Sequence, residues 1–361
     1  MIVVFSSNVK GAMIQMAIKV TEELLQMGID VKCFIPQDAT GYIPERITHS
    51  IIRYIKKKSI FPYNHYAMLV ANQIMKFGPN LIWYIDNGTF SSQVGILLSG
   101  KTTQAIVMHD AGTVHASYST SIRQKIKLFI EKKTSELCNK MIDWTITCSP
   151  SSKDIYCNLY PTHSSKVYVL PLGAHLPEST AISPPEIEGI TDYNLFFGKI
   201  DKYKGIDTLL RSYTKWKGER RLIIAGDGHL QKEELDIIKK DHRIFLINRF
   251  IKDEEMPFLF ANARTVILPY KEATQSGVLP IAYMCGKPVI CSDVIGISQF
   301  VQDGNTGYVC KTDESYIDAF ERLEDNLLLT SFSEKAQQYY VNYLDWRNNI
   351  KKMLTKFNYE A

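Results

Sequence analysis

Short runs rich in β-branched and aromatic residues alternate with longer segments of helical spacing along nearly the whole chain, and no hairpin turns join the runs. Ile2–Ser6 reads as a strand, followed by a polar loop to Gly11. Ala12–Met27 then carries apolar residues at helical spacing (Ile14, Ala17, Ile18, Leu24, Leu25) until Gly28 stops it. Further strands are expected at Val31–Ile35, Leu81–Ile85, Gln104–Met108, Trp144–Cys148 and Val167–Leu170. Strands linked through helices cross over and pair in parallel, so the alternation predicts an α/β fold with sheets covered on both faces.

The alternation is interrupted once. Pro171–Gly189 holds Pro171, Pro177, Pro184 and Pro185 among small polar residues and reads as an interdomain linker. Strands resume at Asn194–Phe197, Leu222–Ala225, Ile244–Ile247, Thr265–Leu268 and Val289–Cys291. A chain of 361 residues exceeds the size at which one core usually stops growing. Two doubly wound domains are therefore expected, residues 1–175 and 186–344, with ligands outside the carboxyl ends of the strands.

Charge and cysteine usage narrow the function. The net charge of +4 is uneven: residues 1–175 carry 18 Lys+Arg against 11 Asp+Glu, and the remainder 24 against 27. A basic first half suits a phosphorylated substrate or an acidic membrane face; no nucleic-acid partner is expected. The seven cysteines are scattered and form no C-x-x-C pair, which argues against a disulfide framework and a zinc site. The first residues read as a buried strand, not a signal peptide, and no apolar run approaches the roughly 18–20 residues of a membrane span. A cytoplasmic protein is expected, free or at the inner face of the cell membrane.

Three loops of the second half lie where such a fold binds phosphate. In the first, Phe196-Phe-Gly-Lys-Ile-Asp-Lys-Tyr-Lys-Gly205, Gly198 and Gly205 permit close backbone approach while Lys199, Lys202 and Lys204 place cations at a helix start. A solvated basic turn would look the same in isolation. The second is Ala225-Gly-Asp-Gly-His229, whose glycines also suit simple strand–helix packing. The third is Pro269-Tyr-Lys-Glu-Ala-Thr-Gln-Ser-Gly277, where Thr274, Gln275, Ser276, Gly277 and Val278 lead into a helix reaching Met284.

Taken together and in this order, the loops resemble the retaining glycosyltransferases of family four, which have the GT-B fold. Gly198-Lys199 and Lys204-Gly205 stand for the family's Gly-Arg and Lys-Gly, and Gly226-Asp227-Gly228 for its Gly-x-Gly. Tyr283-Met-Cys-Gly-Lys-Pro-Val-Ile290, Asp303-Gly-Asn-Thr-Gly307 and Trp346 continue the pattern. In the first half Gly11-Ala12 sits where the family has paired glycines, and His109-Asp110 matches its strand-ending histidine. The resemblance implies two Rossmann-like domains facing a central cleft, with the terminal helix, from about residue 345, packed back on the first. It also implies catalytic roles for His109, Lys199, Lys204 and Glu272. Donor contacts would come from Gly11, Gly198, Gly205, Gly226, Asp227, Arg249, Phe250 and residues 274–278, and an acceptor-side role falls to Asp110.

Two departures stand out. The family's paired glutamates fall at Ala273 and Ile281, so Glu272, one position early, is the candidate for the sugar contact; Lys199 replaces a bidentate Arg by a point charge. The Ala273-Thr-Gln-Ser-Gly-Val278 stretch looks like a recurring variant of the family. No Asp-x-Asp occurs, so a carboxylate-held metal is not expected. The implied activity is metal-independent, retaining transfer from a nucleotide-diphosphate sugar, without a cofactor, to a glycan or lipid-linked acceptor, in bacterial surface polysaccharide synthesis. The missing glutamates keep a second reading open, a non-catalytic nucleotide-sugar-binding partner subunit. A nicotinamide-dependent dehydrogenase is disfavoured because Ser6–Gly11 lacks G-x-G-x-x-G. Ile122–Met141 reads as a basic helix with Ile122, Ile126, Phe129, Ile130 and Leu137 on one stripe, and Lys56-Lys57-Lys58 adds charge. It suits an anionic bilayer surface or a domain face turned to solvent.

Overall fold

A computed structural model describes residues 1–40, 43–57, 64–109, 122–174, 176–177, 180–357 and 359, without the side chains of Ala12 and residues 122–128. It divides into two compact units, Met1–Pro171 with Asn349–Ala361, and Leu172–Asn348.

The first unit holds β1 (Ile2–Phe5), β2 (Val31–Pro36), β3 (Ile51–Tyr54), β4 (Leu81–Tyr84), β5 (Thr103–Met108), β6 (Trp144–Thr147) and β7 (Val167–Val169). They pair in the order β3-β2-β1-β4-β5-β6-β7, every ladder parallel. All four residues of β1 are buried, as a central strand covered on both faces requires. On one face Phe5 stacks on Tyr54 at 5.2 Å and meets Tyr84 edge-on at 5.5 Å. The helix Ala12–Gln26 starts at Gly11 (φ 86°, ψ −165°), a backbone state that essentially only glycine occupies. Phe357, following the last helix, stacks on Trp144 at 4.6 Å within this unit.

The second unit repeats the plan with β8 (Tyr193–Phe197), β9 (Leu222–Gly226), β10 (Ile244–Asn248), β11 (Ala263–Leu268), β12 (Val289–Ser292) and β13 (Gly307–Cys310). Their order is β10-β9-β8-β11-β12-β13, again all parallel. Each sheet therefore follows the Rossmann order and reverses direction once, between β1 and β4 in the first unit and between β8 and β11 in the second. These are the GT-B fold's two Rossmann-like units.

Two strands were not expected from the sequence, β3 and β13, and both lie at sheet edges. Edge strands are half-buried and lack the long apolar run that marks a central strand. The proline-rich stretch also differs from expectation: from Leu172 onward it belongs to the second unit. Gly173 lies against Trp346, where a Cβ would come within 2.4 Å of the indole. Ile182 N–H donates to the Glu254 carbonyl at 2.9 Å, and the short turn Pro185–Ile187 buries Ile187. Proline's fixed φ suits an extended path packed on a surface as well as it suits a tether.

Candidate functional site

Glycines draw the three loops of the second unit together at its switch point. A Cβ on Gly226 would lie 1.8 Å from the Gly198 carbonyl oxygen, and one on Gly228 1.9 Å from that of Ile200. Ile200 N–H donates to the Asp227 carbonyl at 2.9 Å, so the loops after β8 and β9 touch along their backbones. Gly205, at φ 69°, brings the first loop onto the end of β11, where its Cβ would fall 1.8 Å from the Pro269 oxygen. Lys271 N–H then donates to the Tyr203 carbonyl at 2.8 Å.

The two lysines of the first loop end up in different surroundings. Lys199 is exposed and pairs with Asp201 at 3.1 Å, and that hydrogen bond holds its ammonium above the usual lysine range. Lys204 is half-buried, with Nζ 3.6 Å from the centre of the Tyr270 ring and no described carboxylate within ion-pair distance. Burial pushes its pKa down to about 8, against the pull of Asp201. Lys202, between them, is exposed.

In the third loop Glu272 is exposed, while Thr274, Gln275 and Ser276 are half-buried. Ser276 Oγ accepts from Val278 N–H at 3.2 Å as the helix Val278–Met284 begins after Gly277. Ala273, at the position of the family's first glutamate, packs on the core, and Ile281, at the second, is buried within it. Neither offers a polar contact.

Of the remaining expected donor contacts, Asp227 and Phe250 are exposed at the ends of β9 and β10, and Asn248 Oδ1 accepts from Gly228 N–H at 3.2 Å. Arg249 is differently engaged. Its guanidinium forks between Glu186, at 2.7 and 2.9 Å, and buried Glu255, at 2.7 and 2.8 Å, and also donates to the Phe250 carbonyl. Those hydrogen bonds raise its pKa and lower those of both glutamates. A charge committed to two carboxylates braces the end of β10 against the stretch after Pro171, and reaches a phosphate only by exchanging partners.

In the first unit His109 is buried at the end of β5. Its Nε2–H donates to the Ile85 carbonyl at 2.8 Å, and Nδ1 lies 3.7 Å from the Cys148 thiol. Both ring nitrogens face protein atoms. Among the described residues, no atom lies within 4 Å of a Cβ built on Gly11. Asp110 and Lys58 lie outside the described residues.

One residue escaped the sequence reading. Asp86, just past β4, is 4 % exposed and accepts five hydrogen bonds. Oδ2 takes Ser7 N–H (2.7 Å) and Ser6 Oγ (3.2 Å); Oδ1 takes Ser7 Oγ (2.7 Å), Ser91 Oγ (2.8 Å) and Gly88 N–H (3.1 Å). Its available signal was an acid directly following a continuous apolar strand, two residues before a glycine.

Among the described residues no group of three or more His, Cys, Asp or Glu side chains is placed to hold a metal ion, and no helix is long and apolar enough to cross a membrane.

Comparison with known proteins places this geometry in a class. Residues 192–326 match the family model described as glycosyl transferases group 1. The uncharacterized glycosyltransferase MJ1069 of Methanocaldococcus jannaschii is 20% identical over 67% of this chain and 64% of its own length. O-antigen chain mannosyltransferase B of Escherichia coli is 27% identical over 44% of this chain and 45% of its own. The chain thus spans under two thirds of either curated relative. The crystal structure of Anabaena Alr3699/HepE in complex with UDP superposes with a TM-score of 0.73 at 15% identity, over 99% of both chains. Residues 192–326 thus resemble the group 1 glycosyltransferases, and the chain has the GT-B fold.

Proposed function

We propose that the protein is a retaining glycosyltransferase that moves a sugar from a nucleotide-diphosphate sugar, with no further cofactor, to a glycan or lipid-linked acceptor in bacterial surface polysaccharide synthesis. The observation that carries this reading is Lys204, a half-buried cation held over Tyr270 at the carboxyl end of β11, with no described carboxylate within ion-pair distance. Transfer leaves negative charge on the departing diphosphate. A pre-placed ammonium in a partly water-excluded site stabilises that charge more than it stabilises the ground state. Lys199 adds a second, solvated cation from the same loop. Glu272 is the acid nearest in sequence to the family's sugar contact, and its exposure leaves it accessible. Thermal-shift screening against UDP, GDP, ADP and CMP sugars tests the donor class; no shift with any of them counts against the reading.

Because lysines supply the positive charge, turnover should persist in excess EDTA, within about twofold of the untreated rate, as a cation fixed in the protein is not chelated. Complete loss restored by Mg²⁺ or Mn²⁺ would refute metal-independent transfer. The second reading, a non-catalytic nucleotide-sugar-binding subunit, is motivated by the apolar residues at 273 and 281 and predicts binding without turnover. Slow hydrolysis of a bound donor excludes it.

Membrane contact is part of the same proposal. On the helix Ile122–Met141 the described exposed residues Phe129, Lys132, Lys133, Leu137, Lys140 and Met141 share one face, so the lysines flank the apolar side chains instead of opposing them. Such a face inserts shallowly and pairs with anionic headgroups. Sedimentation with phosphatidylglycerol-containing vesicles should exceed that with pure phosphatidylcholine, and Phe129→Asp with Leu137→Asp should abolish the difference. Equal sedimentation with both lipids rules it out.

A further inference from the structure

We propose that Asp86 is a positioning residue: it fixes the loop Ser6–Gly11 in the one shape in which that loop serves the transferred sugar. The inference rests on the donor reading above, in which Gly11 belongs to the donor site.

The first unit's switch point lies between β1 and β4, where crossovers leave in opposite directions and doubly wound folds take their ligands. Asp86 stitches these two crossovers together. Three of its five hydrogen bonds come from Ser6 and Ser7, on the loop leaving β1, and two from Gly88 and Ser91, on the segment leaving β4. Gly88 gives up its side chain to make this possible: a Cβ there would stand 2.9 Å from Asp86 Oδ1 and 3.1 Å from Ser7 Oγ.

From its other side the loop is held by its carbonyls. Tyr54 Oη donates to the Ser6 oxygen at 2.8 Å, Lys56 Nζ to that of Ser7, and Thr40 N–H to that of Val9 at 2.7 Å. A loop tied at Ser6, Ser7 and Val9 has little freedom left until Gly11, where the backbone enters a glycine-only conformation with no described atom within 4 Å of a Cβ built there. A neutral side chain could join two loops. A buried carboxylate taking backbone N–H and hydroxyl donors at once adds directional hold on the peptide plane of Ser7.

Two serines donate to the same oxygen of Asp86 at nearly the same distance, but from different segments, which separates positioning from simple crosslinking. Ser7→Ala removes one of the loop's three bonds to Asp86 and loosens its hold, while the Ser7 N–H and Ser6 Oγ bonds remain; Ser91→Ala removes an equivalent bond from the helix Thr89–Leu98 and leaves all three loop bonds in place. Both should lower the melting temperature alike. With the best donor of a UDP-, GDP- and ADP-sugar panel, Ser7→Ala and Asp86→Asn should lower kcat by on the order of 10- to 100-fold, the effect of a misplaced group. Ser91→Ala should lower it by less than about threefold, in line with intact geometry. The Kd for the matching nucleoside diphosphate should stay unchanged in all three. Parallel losses of kcat in Ser7→Ala and Ser91→Ala, tracking stability, would reduce Asp86 to a structural crosslink and overturn the inference. Wild-type protein that neither binds nor turns over any sugar of the panel overturns the donor reading itself, before any variant is compared.

Discussion

Lys204→Ala should lower kcat by about 10- to 150-fold while raising the donor KM less. A charge-assisted hydrogen bond is worth roughly 1.5–3 kcal/mol, and under the proposed transfer it would strengthen as the diphosphate departs. Lys202→Ala, on the same turn but exposed, is the internal control and should change turnover by less than about twofold. Equal effects at both positions would mean that the loop is only a basic surface turn.

The surroundings of Lys204 add a pH signature. Its pKa is about 8 in the folded protein, against 10.5 for the free side chain, because burial disfavours the charged form. Below pH 8 the folded and unfolded chains both carry the proton, and the desolvation of a charged Lys204 weighs fully on the fold. Between pH 8 and 10.5 the unfolded chain binds more protons, so this residue's contribution makes the protein more stable as pH rises. Activity should run the other way: kcat/KM for the donor falls above pH 8, while the kcat limb lies higher because a bound diphosphate raises the pKa. Lys204→Met should flatten both trends. A variant that loses turnover but keeps the wild-type rise in stability would place the titration elsewhere.

What could be read from the sequence, and what could not, follows from how local each signal is. Central strands such as Ile2–Phe5 and Leu222–Gly226 are buried on both faces and betray themselves as continuous apolar runs. The edges β3 and β13 are not, and their pairing depends on neighbours distant in the chain. The glycines of the phosphate-type loops were legible because their spacing is local, but the reason for each is a carbonyl from another loop, such as Pro269 behind Gly205. Arg249 could be placed just after a strand from sequence, yet its engagement by Glu186, 63 positions away, could not. Asp86 stayed hidden for the same cause: its partners Ser6 and Ser7 lie 80 and 79 positions earlier, joined to it only by parallel pairing of β1 and β4.

Gly205→Ala should be among the most damaging single-methyl changes in the second unit. Two effects add. At φ 69° a Cβ meets the backbone, a strain of roughly 1–2 kcal/mol. The same Cβ would also stand 1.8 Å from the Pro269 oxygen, so the loop must leave the end of β11 to admit it. Overpacking of this kind adds about 1–3 kcal/mol, which brings the total to about 2–5 kcal/mol and the loss in melting temperature to roughly 5–15 °C. Gly304→Ala isolates the first effect: its φ is 70° and nothing lies within 4 Å of the added Cβ. That variant should lose only a few degrees and keep nucleotide binding. In Gly205→Ala the surviving folded protein should bind nucleoside diphosphates at least about tenfold more weakly, because separating the loop from β11 takes Lys204 off Tyr270. Equal melting temperatures for the two variants would show that close approach at Pro269 is not what positions the loop. Undiminished nucleotide binding by Gly205→Ala would show that the loop's place on β11 is irrelevant to the site.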